Sequence, residues 1–167
     1  CGSWFDQPLA NSLHKLKSLT HIIFGCRFEQ QLGNALNNCT SLTHISFGYS
    51  FNCPLANSLH NCIALTHLVF DFCFNQPLDN ALNNCTSLSI LVFGYKFNQS
   101  VSENLNNCPS LVHLGFGNDF TQRDVIPNNI KSLSLYSNNK FCIDYLPDTI
   151  EELELGLNFN LDLCNCP

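Results

Sequence analysis

The stretch Phe51-Asn52-Cys53-Pro54-Leu55-Ala56-Asn57-Ser58-Leu59-His60-Asn61-Cys62-Ile63-Ala64-Leu65-Thr66-His67-Leu68-Val69-Phe70 decides the fold, because its opening phrase returns at once as Phe74-Asn75-Gln76-Pro77-Leu78. Phe5, Phe28, Phe51, Phe74, Phe97 and Phe120 stand 23 residues apart. With Phe as position one, five complete copies run from Phe5 to Asp119, and shorter copies begin at Phe120, Phe141 and Phe159. Of the 14 Phe, six occupy position one and five position twenty. A random apolar chain would not sort its aromatics in this way. The repeat therefore governs the reading of everything else.

Each copy carries two periodicities. Leu55, Leu59 and Cys62 stand at i, i+4 and i+7, which predicts a short helix of about two turns, opened by Pro54. Asn57 and Asn61 are then expected on its wet face. Leu65, Leu68 and Phe70 end in period two and predict a strand, closed in most copies by a glycine such as Gly48. Neither element buries its apolar face alone. Stacked copies do, with equivalent strands pairing into a parallel sheet. The expectation is a single α/β repeat solenoid over residues 1–167, leucine-rich-repeat-like, with a parallel sheet on one face and short helices or turns on the other. Its regular repeats span 5–119, its shorter atypical ones 120–158, and 159–167 form a terminal stub.

Composition narrows the function. Apolar residues make up 45% of the chain and charged residues 12%, with a net charge of −6. That balance argues against nucleic acid or an anionic membrane as partner. No apolar run reaches the length of a membrane span, and no signal-peptide pattern opens the chain. The sequence has no Met, so Cys1 is no initiator, and a fragment or processed product is expected. Of its 11 Cys, four (Cys39, Cys62, Cys85 and Cys108) share position twelve. One column does not provide complementary pairs, so reduced thiols packed as small hydrophobes are expected. A reducing, cytoplasmic compartment is therefore expected. Asn38, Asn84 and Asn98 match the glycosylation pattern only as part of an Asn-rich repeat.

The runs Phe74-Asn75-Gln76-Pro77-Leu78 and Leu65-Thr66-His67-Leu68-Val69-Phe70, with Phe47-Gly48 one copy earlier, resemble the FNIP repeat. Ile126-Pro127-Asn128-Asn129-Ile130-Lys131-Ser132-Leu133 resembles its shorter variant. That family is similar to leucine-rich repeats and is found mainly in social amoebae and amoeba-infecting giant viruses. The resemblance covers nearly the whole chain and implies a solenoid used for protein contacts. In several members an F-box precedes the repeats, which implies a ubiquitin-ligase adaptor.

Between the inward Leu and Phe, strand residues point outward. Position seventeen is His21, His44, His67, Ile90 and His113; position nineteen is Ile23, Ser46, Val69, Val92 and Gly115; position twenty-two is Cys26, Tyr49, Phe72, Tyr95 and Asn118. The His column is open to three readings: a polar ladder without ligand, a pH-responsive contact surface, or a metal site. Three side chains in a row do not make a tetrahedron. Crowding is expected to lower the His pKa values. Tyr49, Phe72 and Tyr95 either pack against neighbouring coils or form a binding hot spot.

The candidate partner-binding residues are thus His21, His44, His67, His113, Tyr49, Asp71, Phe72 and Tyr95. Asp71, Phe72 and Ile90 all break consensus near the central coils. No catalytic motif occurs. A Cys–His pair from His67, Asp71 and Cys73, or a zinc site from Cys142, Cys164 and Cys166, has only weak support. Leu161-Asp162-Leu163 is expected in a terminal cap. The expectation is a non-catalytic protein-binding module without cofactor. The alternative is a structural component of a viral particle or other assembly. Edge strands allow end-to-end or lateral self-association.

Overall fold

The computed structural model describes residues 4–10, 12–123, 126–157 and 159–163. Seven strands lie in chain order in one sheet: β1 (His21–Ile23), β2 (His44–Ser46), β3 (His67–Val69), β4 (Ile90–Val92), β5 (His113–Phe116), β6 (Ser132–Leu135) and β7 (Glu152–Leu155). Every neighbouring pair is parallel. Register follows the repeat, with His21 opposite His44, His44 opposite His67 and His67 opposite Ile90. The last two pairs join shorter copies, where His113 meets Ser132 and Ser132 meets Glu152. The architecture is a parallel solenoid of leucine-rich-repeat type.

The core sits between the strands and the return side of each coil. Position-one Phe rings stack along it at 6.0–6.3 Å between centroids. Position-twenty rings form a second column at 5.1–5.7 Å. The two columns touch where one copy passes into the next, as Phe70 and Phe74 do at 3.9 Å. Burying each ring contributes about 1.5–3 kcal/mol, so the aromatic columns, with the Leu columns beside them, hold coil to coil. Cys39, Cys62, Cys85 and Cys108 are buried in the same core as a thiol column. Leu161 packs against its far end; Cys164 and Cys166 lie outside the described residues.

The return side corrects the helical expectation. In the regular coils it is a chain of turns, with Ser58, His60, Cys62 and Leu65 each donating a backbone N–H to the residue three positions earlier. The cause is position six. Ala10, Gly33, Ala56 and Asp79 hold φ between 44° and 50°, the left-handed region that stops a right-handed helix. At the same position in the fifth coil Ser102 begins a one-turn helix, α1 (Ser102–Leu105). A second, α2 (Lys140–Asp144), is capped by the Asn139 side chain, which accepts N–H bonds from Phe141 and Cys142. Leu55, Leu59 and Cys62 still face inward, because successive turns repeat at nearly the spacing of a helix.

Polar side chains stitch coil to coil. Asn75 accepts from the Asn98 backbone N–H at 2.9 Å and from Gln99 Nε2 at 3.0 Å. Asn52 serves Asn75 and Gln76 in the same way. Asn61 is half-buried, not on a wet face, and donates to the Asn37 carbonyl at 2.9 Å; Asn57 is exposed as expected. Glycine at position twenty-one answers to close approach. A Cβ on Gly94 would overlap the Asp71 carbonyl, and one on Gly117 that of Gly94.

Candidate functional site: the outward strand face and its aromatic margin

The outward face of β1–β3 carries a stack of imidazoles. His21 and His44 lie 4.1 Å apart between centroids and His44 and His67 3.9 Å, with ring planes within 13° and 16° of parallel. Thr43 Oγ1 donates to the Thr20 carbonyl at 2.9 Å, and Thr66 Oγ1 to the Thr43 carbonyl at 3.0 Å. Each hydroxyl has one proton and has given it away. It therefore accepts from its neighbour, so His44 Nδ1 and His67 Nδ1, both 2.8 Å distant, carry hydrogen. Their Nε2 atoms are left as bare acceptors.

Parallel rings direct those lone pairs side by side, whereas a metal ion needs convergent ones. Among the described residues no group of three His, Cys, Asp or Glu is placed to hold a metal. Burial first, then the charges of His67 and His21, hold the His44 pKa below its ordinary value. Ile90 ends the stack, and His113 stands apart with its Nδ1 2.9 Å from Ser132 Oγ.

At the margin, Tyr49 and Phe72 stack at 4.7 Å and Phe72 and Tyr95 at 4.8 Å. Both readings of this column have a physical basis. The rings pack on each other across coils, yet Tyr49 and Tyr95 remain exposed. Lys96 Nζ lies 5.6 Å from the Phe72 ring centre, within cation–π range. Asp71 turns its carboxylate back to accept the Phe72 N–H at 2.8 Å. His67 bonds to Thr66 and Asp71 to the Phe72 N–H, and no side-chain hydrogen bond joins either to Cys73 among the described residues. The charged groups beside this column are few, with Asp71 next to Phe72, Lys96 next to Tyr95 and Arg27 next to Cys26.

Sequence reasoning missed what lies beyond Tyr95. A groove of about 410 Å³ opens there, lined by Tyr95, Tyr136 and Leu157 and by Val92, Gly94 and Gly117. Tyr136 comes from a shorter copy, where it follows Leu135 as Gly117 follows Phe116. Its hydroxyl donates to Glu154 Oε1 at 2.7 Å and Ser134 Oγ to Oε2 at 2.8 Å. Those bonds, Tyr136 first, hold the Glu154 carboxyl below its ordinary range. Matching Leu133 and Leu135 to Leu114 and Phe116 would have been the cue. Among the described residues no helix is long and apolar enough to cross a membrane.

The FNIP repeat family profile matches residues 120–158. No curated protein sequence matches the chain. Among solved structures it is similar to the giant-virus protein CroV588, described as a novel circular LRR protein, at 34% identity and a TM-score of 0.78. The likeness covers 95% of this chain but only 23% of CroV588, so the chain spans about a quarter of that protein's length. Residues 120–158 thus match the FNIP repeat, and the chain as a whole has the solenoid fold of leucine-rich-repeat type.

Proposed function

We propose that the chain is a non-catalytic protein-binding module that offers a partner the outward face of β1–β4 and the Tyr49–Phe72–Tyr95 column. Solenoids commonly present such extended surfaces for binding. The observation that carries the reading is pre-ordering. His44 and His67 are locked by hydroxyl bonds and the aromatic rings by mutual stacking, so little side-chain entropy remains to be lost on association. A photo-crosslinking residue at Ser46 identifies the partner. Phe72→Ala is then expected to weaken its binding by more than about 1 kcal/mol with the circular dichroism of the chain unchanged. Equal affinity of the variant would remove the column from the site.

The finer reading, the substrate-recognition part of an F-box ubiquitin-ligase adaptor, rests on the FNIP resemblance. An F-box encoded upstream, and co-purification with ubiquitin-ligase components, test it. The likeness to a circular protein favours a second reading, a structural component of a viral particle or other assembly with self-association of the solenoid. That reading predicts abundance in purified particles and symmetric contacts along the Asn-rich return side. Either role belongs in a reducing compartment such as cytoplasm or virion, a proposal supported by the buried thiol column.

A further inference from the structure

The aromatic column stops at Tyr95. In the fifth coil the same repeat position holds Asn118, whose Nδ2 donates to the Tyr95 hydroxyl at 3.3 Å instead of continuing the stack. The groove opens at this break, with Tyr95 on one side and Tyr136 and Leu157 on the other. Gly94, Gly117 and Gly156 line it without side chains. Aromatic faces at 4.7–4.8 Å leave the end of the column able to receive another ring. The carboxylates lie on the Tyr136 side of the groove, while Lys96 follows Tyr95 on the other and leans over the Phe72 ring. Glu154 is bonded to the groove wall through Tyr136, and Glu152 lies two residues away on β7. Neither forms an ion pair among the described residues, because Lys131 is taken by Glu151.

We propose that this groove receives an aromatic side chain carried by a basic segment of a partner protein, the ring extending the Tyr49–Phe72–Tyr95 column and the Lys or Arg groups facing Glu152 and Glu154. The proposal rests on the protein-binding reading and names the chemistry of its partner. Charge steers such a segment to the acidic rim, and stacking fixes it there. The probe is the acetylated, amidated peptide Lys-Lys-Phe-Lys-Lys, titrated into the whole chain by calorimetry and followed by tyrosine NMR signals. Binding is expected, with the Tyr95 and Tyr136 rings shifting.

Asn118→Tyr puts the chain's own ring into the groove and is expected to weaken the peptide at least tenfold. The residue is the one found at that position in two other coils, so folding should survive. Should it not, Leu157→Ser serves as a second variant that removes apolar area from an exposed wall without adding charge, and it should also weaken the peptide. Glu154→Gln is expected to weaken it severalfold and to reduce the salt dependence. Lys-Lys-Ala-Lys-Lys should bind at least tenfold worse than the Phe peptide, and Glu-Glu-Phe-Glu-Glu not at all. Equal binding by the wild type and the groove variants overturns the proposal. So does a wild-type dimer that Asn118→Tyr makes monomeric, since the occupant is then a second copy. If the peptide fails while Phe72→Ala still weakens the captured partner, the groove inference falls and the binding-module reading stands.

Discussion

Thr43 and Thr66 decide what the histidine face presents to a partner. By donating to the coil before, they fix the hydrogen of His44 and His67 on Nδ1 and leave Nε2 to accept. A partner on this face, as proposed, meets acceptors at both Nε2 atoms and is expected to offer donors. His44 titrates below its ordinary value of 6.5 because it is partly desolvated, with His67 and His21 adding repulsion. An unfolded chain binds that proton more readily. The stability His44 contributes is thus complete above pH 6.5 and is lost as pH falls below it toward the folded value. An NMR titration should place the His44 ring midpoint under 6.5, and His67→Asn should raise it part of the way. A midpoint at or above 6.5 would contradict this. The thiols argue the same point about place. Burial pushes Cys62 and Cys85 up to about 12 and Cys108 to about 11. At about pH 8.5, where an ordinary thiol is half ionised, iodoacetamide should modify exposed Cys26 in the folded protein. The core column should react only at the rate of unfolding; mass spectrometry of partly labelled chains separates the two.

A coil is held to its neighbour less by its strand than by its ladders, since β1–β4 are only three residues long. Among the polar ladders the Asn at position two is the main clasp. Asn75→Ala orphans the Asn98 N–H and leaves the Gln99 amide only the Asn75 backbone carbonyl at 3.4 Å, and about 1–3 kcal/mol of stability should go with it. Asn57→Ala, on the exposed return side, should change stability by less than about 0.5 kcal/mol. Urea denaturation compares the two, and equal losses would show that the ladder is incidental. Here the limits of the sequence become physical. Leu65, Leu68 and Phe70 announced a strand because period two survives any context that keeps one face buried. Leu55, Leu59 and Cys62 announced a helix wrongly, because linked turns bury the same residues. Ala56 gives no outward sign of a left-handed φ; Gly33 in its column was the available hint. Asn61 looked like a wet-face residue because its partner, the Asn37 carbonyl, belongs to another coil. The groove was hidden for a related reason. It is made where shorter copies change the phase of the repeat, so Tyr136 enters a position that regular coils give to glycine or Asp71.

Across the whole molecule, the fold and the proposed binding surface occupy different columns of one period. The inward Leu, Phe and Cys columns recur from coil to coil, as a stack of equivalent units requires. The outward positions vary, with Ile90 ending the imidazole stack, Asp71 beside the aromatic column and Asn118 ending it. Coils should therefore be removable as units. Deleting residues 51–73 joins Ser50 to Phe74 with the period intact, so β2 should pair with β4 and His44 should meet Ile90. The same cut also removes Asp71 and Phe72. The most direct measurement is circular dichroism and urea unfolding of this deletion and of one spanning 51–72, each followed by titration with the captured partner. The shorter deletion leaves the next coil one residue out of phase and should turn its inward side chains outward. The account predicts that the chain lacking 51–73 folds cooperatively and binds its partner weakly, while the chain lacking 51–72 does not fold. If both deletions unfold alike, or if the chain lacking 51–73 binds as tightly as the intact one, the separation of columns is wrong.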